Sequence, residues 1–111
     1  MFRRPKRVRP SAAHPVRIQI MGAGFLDLAA ARDISPGGVG VIVSHRFEGC
    51  RIHEDVDLLI SLPGESPFLV RGHIRHRTKT HEDFFGVEFR QISRVDRQRI
   101  AQYMRGQEPS E

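Results

Sequence analysis

The sequence predicts an all-β domain with one terminal helix, a six-stranded antiparallel barrel closed at its carboxy end by an α-helix. Three observations carry that prediction. Apolar and polar residues alternate with period two in successive short runs from Val16 to Phe89, clusters of Gly, Pro and Ser separate the runs, and the spacing turns helical after Ser93. A chain of 111 residues makes one domain with a single modest core. Closing the sheet on itself removes the open edges that short strands would otherwise expose.

Residues 1–10 carry five arginines and lysines, prolines at 5 and 10, and only Phe2 and Val8 as apolar anchors. Such a piece buries too little surface to order itself, so it reads as a flexible basic arm. Residues 11–106 form the folded unit. In its first strand Val16, Ile18 and Ile20 face one way and Arg17, Gln19 and Met21 the other; Gly22-Ala23-Gly24 supplies the turn. Leu26, Leu28, Ala30 and Ile34 then share the inward face of a second strand, which sends Asp27, Asp33 and Ser35 outward. Ser35-Pro36-Gly37-Gly38 breaks that strand, and Val39, Val41 and Val43 line the inside of a third.

Residues 45–55 are polar and irregular, a long connection. Val56, Leu58, Ile60 and Leu62 alternate with Asp57, Leu59 and Ser61 in a fourth strand that ends at Pro63-Gly64. In the fifth, Phe68, Val70 and Ile74 point inward and Arg71, His73, Arg75 and Arg77 outward; Thr80-His81-Glu82-Asp83 turns the chain into a sixth strand with Phe85, Val87 and Phe89 inward. Ser93 caps a helix whose core-facing residues are Ile100, Tyr103 and Met104, and Gly106 stops it. Residues 107–111 form a frayed tail.

The chain carries a formal charge of +5 and a pI near 10.6, which favours anionic partners: nucleotide, nucleic acid, phospholipid or an acidic protein surface. No stretch is long enough to span a bilayer and the basic amino terminus lacks an apolar run behind it, so the expectation is a cytoplasmic protein. Cys50 is the sole cysteine and reads as a half-buried small hydrophobe. His73 and His76, three apart on a strand, should face opposite ways, and no second thiol accompanies Cys50, so no metal site is expected. No Ser-His-Asp, Cys-His or paired-carboxylate arrangement has a recognisable context, and the chain is expected not to be an enzyme and to need no cofactor.

Two short motifs carry chemistry. Arg3 and Arg7 lie four apart around Pro5; in an extended chain both point the same way, roughly 13 Å apart. Arginine's planar fork serves phosphate or the O6/N7 edge of guanine bidentately. Asp33 and Ser35, two residues apart, offer a carboxylate that accepts hydrogen bonds and a hydroxyl that donates or accepts, and Gly38 removes a side chain where the backbone turns or a ligand approaches. Arg4 and Arg32 flank the motifs and add potential phosphate contacts; Arg75 is the choice from the outward face of the fifth strand for stacking on a base.

The pair of motifs, Arg3-Arg4-Pro5-Lys6-Arg7 followed by Asp33-Ile34-Ser35-Pro36-Gly37-Gly38, resembles the bipartite signature of PilZ domains, and Phe85-Gly86-Val87-Glu88-Phe89 before an amphipathic helix resembles that family's last strand and terminal helix. The resemblance covers most of the chain. It implies a Greek-key-like barrel, cyclic di-GMP as ligand, and Arg3, Arg4, Arg7, Asp33, Ser35, Gly38 and Arg75 as binding residues, with the arm folding over the ligand. A receptor of this kind would pass the second-messenger signal to a protein effector in motility, biofilm or surface behaviour. Two features set the sequence apart: no second domain supports a flagellar-brake role, and Phe2 before the first motif arginine cannot donate to a second ligand, which leans toward one ligand per chain. Rival readings are a PilZ-like adaptor for pilus assembly that binds no nucleotide, against which the intact arginines and Asp33 argue, and a basic nucleic-acid-binding barrel. Against the latter, seven Phe and one Tyr sit mostly at core phase and leave no stacking platform.

Overall fold

In the computed structural model of the chain, residues 7–22, 25–43, 51–79, 83–107 and 109–110 are described. Each alternating run forms a strand: β2 (Arg17–Gly22), β3 (Phe25–Ser35), β4 (Gly38–Val43), β5 (Asp55–Ser61), β6 (Phe68–Lys79) and β7 (Asp83–Gln91), preceded by the two-residue β1 (Arg7–Val8) and followed by α1 (Arg94–Arg105) and β8 (Pro109–Ser110). The hydrogen-bonded order is β2-β5-β6-β7-β4-β3, and pairing of β2 with β3 closes this ring of six antiparallel strands. Four hairpins join neighbours, while the connection from β4 to β5 sets β4 beside β7 and β5 beside β2, a Greek-key-like path.

Alternation decides what the barrel encloses. Ile18, Ile20, Ile34, Val39, Val41, Leu58, Ile60, Ile74 and Phe85 are all at most 1% exposed and fill the interior. Ser93 accepts a hydrogen bond from the Asp96 amide at 3.1 Å, starting α1, and Gly106 ends it. The helix buries Ile100 in the same core, with Tyr103 and Met104 packed at its margin. Polar contacts tie it to the barrel: Tyr103 Oη donates to His14 O at 2.6 Å, and Arg99, paired within the helix with Asp96 at 3.1 Å, reaches Glu65 at 2.9 Å and the Ser66 carbonyl while lying 4.6 Å over the Phe68 ring. Desolvation raises the Tyr103 hydroxyl above its ordinary pKa.

The basic arm meets the barrel at its end. Val8 is buried and lies opposite Ile34, so β1 extends the sheet beyond β3, and β8 pairs in turn with β1. Residues 109–110, in the stretch expected to fray, are thus paired with Arg7 and Val8.

Two expected phases are corrected. In β3 the inward residues ahead of Ile34 are Ala29 and Ala31, while Leu26 and Leu28 are 59% and 70% exposed and Asp27 takes the inward parity opposite Ile20. The register shifts between Ala31 and Asp33, so Arg32 is an extra residue, and one extra residue exchanges the faces of everything before it. Ser35, expected outward, is 1% exposed because the strand ends there and its hydroxyl folds into the turn. The β6–β7 ladder shifts register twice, between Arg71 and Gly72, where Arg90 of β7 is the extra residue, and again between Ile74 and His76. Arg75 is the extra residue there; His76 therefore joins His73 on the outer face, not the opposite one, and Arg77 moves to the inward parity, its guanidinium 4.9 Å over the Phe85 ring.

Candidate functional site

The bulges at Arg32 and Arg75 flank one patch of the barrel wall. Immediately after Arg32 comes Asp33 and immediately after Arg75 comes His76; the ladder between them runs Asp33–Gly40–Gly86–His76 across four strands. The two middle positions are bare backbone. A Cβ on Gly40 would sit 2.8 Å from the Phe84 ring and 2.9 Å from an Asp33 oxygen, and one on Gly86 would sit 2.0 Å from the His76 ring. The outer side chains are thus laid over a floor of glycine, a shape that any larger residue at either position would push apart.

Charge collects around that floor. Because β1 pairs with β3, Arg7 is brought beside the strand that carries Asp33, and its Nη1 donates to Asp33 Oδ1 at 2.9 Å; the arginine side chain is 41% exposed and the carboxylate 14%. On the far side Glu88 accepts from Arg90 Nε at 3.0 Å and stands 4.0 Å from Arg75 Nε. One step along the same face, His73 Nδ1 meets Asp55 Oδ1 at 2.8 Å, and this hydrogen bond holds the Asp55 carboxyl below its ordinary pKa. Arg32 lies 4.7 Å over the Phe84 ring.

A cavity of about 290 Å³ opens between these groups, with Arg7, Ser35, Gly37, Arg75, His76 and Glu88 in its lining. Ser35 shapes the rim: its hydroxyl donates to Gly38 O at 3.4 Å and accepts from the Gly37 amide at 3.3 Å. Gly38 is required by close packing, since a Cβ there would meet the Val87 carbonyl at 2.6 Å. A larger groove of about 690 Å³ runs along Pro15, Arg17, Leu28, Ile42 and Leu59. Among the described residues Arg17 is the lone ionic group lining that groove, which offers little to hold an anion, whereas the smaller cavity has guanidinium groups on two sides and carboxylates behind them. The chemistry it suits is an anionic ligand with planar, hydrogen-bonding parts.

Of the residues expected from sequence, Arg7, Asp33, Ser35 and Arg75 come together here, and Gly38 closes the turn beside them. Arg3 and Arg4 lie outside the described residues, as do Cys50 and most of the connection after β4. Sequence reasoning missed His76, Gly40 and Glu88 as site residues. The dipeptide Phe85-Gly86 was visible, but nothing in the alternation marked Arg75 as extra. Among the described residues no group of three His, Cys, Asp or Glu side chains is arranged to hold a metal ion, and no helix is long and apolar enough to cross a membrane.

A family model described as the PilZ domain matches residues 2–106. No curated protein matches the chain. Among solved structures, the inhibitor of motility MotI/DgrA from Bacillus subtilis is similar over 96% of this chain at 21% identity with a TM-score of 0.78. The K. pneumonia MrkH–c-di-GMP complex is similar over 94% at 16% identity and a TM-score of 0.79. The chain spans 51% of each of those two. The PilZ domain of YcgR from Escherichia coli, solved with c-di-GMP, is similar over 94% of this chain and 88% of its own length, at 14% identity and a TM-score of 0.72.

Proposed function

The chain belongs to the PilZ domain family, and from that membership and the cluster around Arg7 and Asp33 we propose that it is a receptor for cyclic di-GMP. The observation that carries the proposal is the 2.9 Å contact between the last arginine of the first motif and the aspartate of the second, 26 residues apart. Two motifs that resemble a bipartite ligand signature are thereby joined at one cavity. The structures of MrkH and of the YcgR domain with c-di-GMP give the ligand class.

In this reading Arg3, Arg4 and Arg7 on the arm donate to the phosphodiesters and to the O6/N7 edge of guanine. Asp33 accepts from guanine N1–H and the amino group. Arg75 takes a phosphate or covers a base from the opposite side, while Ser35 and Gly38 fix the turn that keeps Asp33 in line. Ligand closes the arm over the barrel, neutralises part of its charge and presents a changed surface to a protein effector; this is a signalling role, without catalysis or cofactor, in the cytoplasm. Likeness to an inhibitor of motility supports motility or surface behaviour as the controlled process.

Calorimetric titration of the chain with cyclic di-GMP, and with GMP and GTP as controls, tests the proposal. Saturable binding of the cyclic dinucleotide alone, in the micromolar range or tighter, is the expected result. No heat with any of the three would overturn it and leave the adaptor reading.

A further inference from the structure

We infer that His76 is the stacking platform for one nucleobase of the ligand, seated on the backbone of Gly86. This deepens the receptor reading and rests on it. The imidazole covers Gly86: three of its ring atoms fall within 2.5 Å of where a Cβ would stand, so the ring lies over the strand and not beside it. Its other side is open, for His76 is an exposed residue lining the 290 Å³ cavity. A flat aromatic ring with one face supported and one face in a cavity is what a base needs in order to stack.

The ring is also braced laterally. Phe84 lies 5.5 Å from it at a 43° tilt, and Arg32 covers Phe84 at 4.7 Å, so three planar groups run in series along the wall. His76 owes its place to the bulge at Arg75; without that extra residue the strand's alternation would turn it inward. Asp33 occupies the other end of the same ladder row, three strand spacings or roughly 14 Å away. The row therefore has a hydrogen-bonding end that reads a base edge and a stacking end that accepts a base face, and a compact dinucleotide has two bases to offer. Charged groups around the imidazole are Arg7, Arg75 and Glu88 of the cavity, which leaves room for phosphate between the two ends.

Stacking tolerates any base, so His76 sets affinity and Asp33 sets base preference. The test is calorimetry with cyclic di-GMP on the full chain, wild type, His76→Ala and His76→Phe, alongside the His76 ring-proton resonance at fixed pH, assigned from its loss in His76→Phe. His76→Ala should weaken binding roughly fivefold to a hundredfold, the range of one base–aromatic stack. His76→Phe should stay within about threefold of wild type, since the ring face and not the imidazole nitrogen does the stacking. Saturation should move the His76 ring proton upfield through the ring current of the base. Wild type that binds while His76→Ala binds equally tightly, or a His76 resonance that does not move, would overturn the role of His76 alone. Absence of wild-type binding would overturn the receptor reading itself. Should His76→Ala prove unfolded in a thermal melt, the resonance of the wild type still decides.

Discussion

The barrel has a regular half and an irregular half. The ladders β2–β3, β2–β5 and β5–β6 run without a register shift, and their outer face carries Leu28, Leu59 and Leu69 around Gln19. The ladders β3–β4 and β6–β7 break register, and between the breaks lie the glycine floor, the paired carboxylates and the arginines. Both halves share one interior and the same strand chemistry. What separates them is that a regular ladder can aim a side chain in only two directions, whereas a bulge re-aims whatever follows it. The breaks at Arg32 and Arg75 are followed by Asp33 and His76.

That contrast can be broken by experiment. The largest effect belongs to the regular half: Leu58→Ala empties a fully buried position on β5 and should cost about 2–5 kcal/mol of stability in urea unfolding. Leu28→Ser on the outer side of the same half should stay within about 0.5 kcal/mol, because its side chain is already 70% exposed. A comparable loss in both would mean that the outer leucines are not surface.

In the irregular half the cost falls on binding. Arg7→Ala should lower cyclic di-GMP affinity by about 1.5–3 kcal/mol while shifting the melting temperature little, since the side chain is 41% exposed. Asp33→Ala should weaken binding more than Ser35→Ala does. Unchanged affinity in the Arg7 variant, measured by titration, would take the arm out of the site.

Ser35 belongs to the irregular half, at the turn from β3 to β4. Its hydroxyl bonds within the turn, so Ser35→Ala should cost about 0.5–1.5 kcal/mol of stability, read as a shifted urea midpoint. The smallest effect is electrostatic and lies at the border. Asp55 has a depressed carboxyl through its bond from His73, so the pair stabilises the fold above the ordinary carboxylate pKa and loses that contribution as pH falls through the lowered value. Asp55→Asn should therefore flatten the acid limb of a stability–pH curve; an unaltered limb would show that the pair adds nothing.

Legibility in the sequence follows the same division. Strands β2, β4 and β5, the Ser93 cap and the burial of Ile100 all follow from spacing, because the inward apolar residues recur at every second position there without interruption. The face of β3 was not legible. Leu26 and Leu28 are apolar yet exposed, and the run Ala29-Ala30-Ala31 gives no contrast between faces, so the parity could be anchored only at Ile34, beyond the bulge. In β6 the string Arg75-His76-Arg77 is polar throughout, and which of its members was extra left no trace in composition. Motif residues Arg7 and Asp33 were legible by type and order, while the neighbours that complete the cavity became visible only when β7 was laid beside β4 and β6.

Among the described residues, the two arginines that line the cavity already have carboxylates beside them: Arg7 rests on Asp33, and Arg75 stands 4.0 Å from Glu88. On the proposed receptor reading, taking up a phosphodiester would be an ion exchange in which one carboxylate is traded for the incoming anion, not the filling of bare cations. Added electrolyte screens the ion pair that breaks as well as the one that forms, so affinity falls less steeply with ionic strength than the number of arginines alone would dictate. Small inorganic anions, which offer charge but no base to stack or to read, would profit little from that trade, and on this reading the resident carboxylates would act as a filter against them.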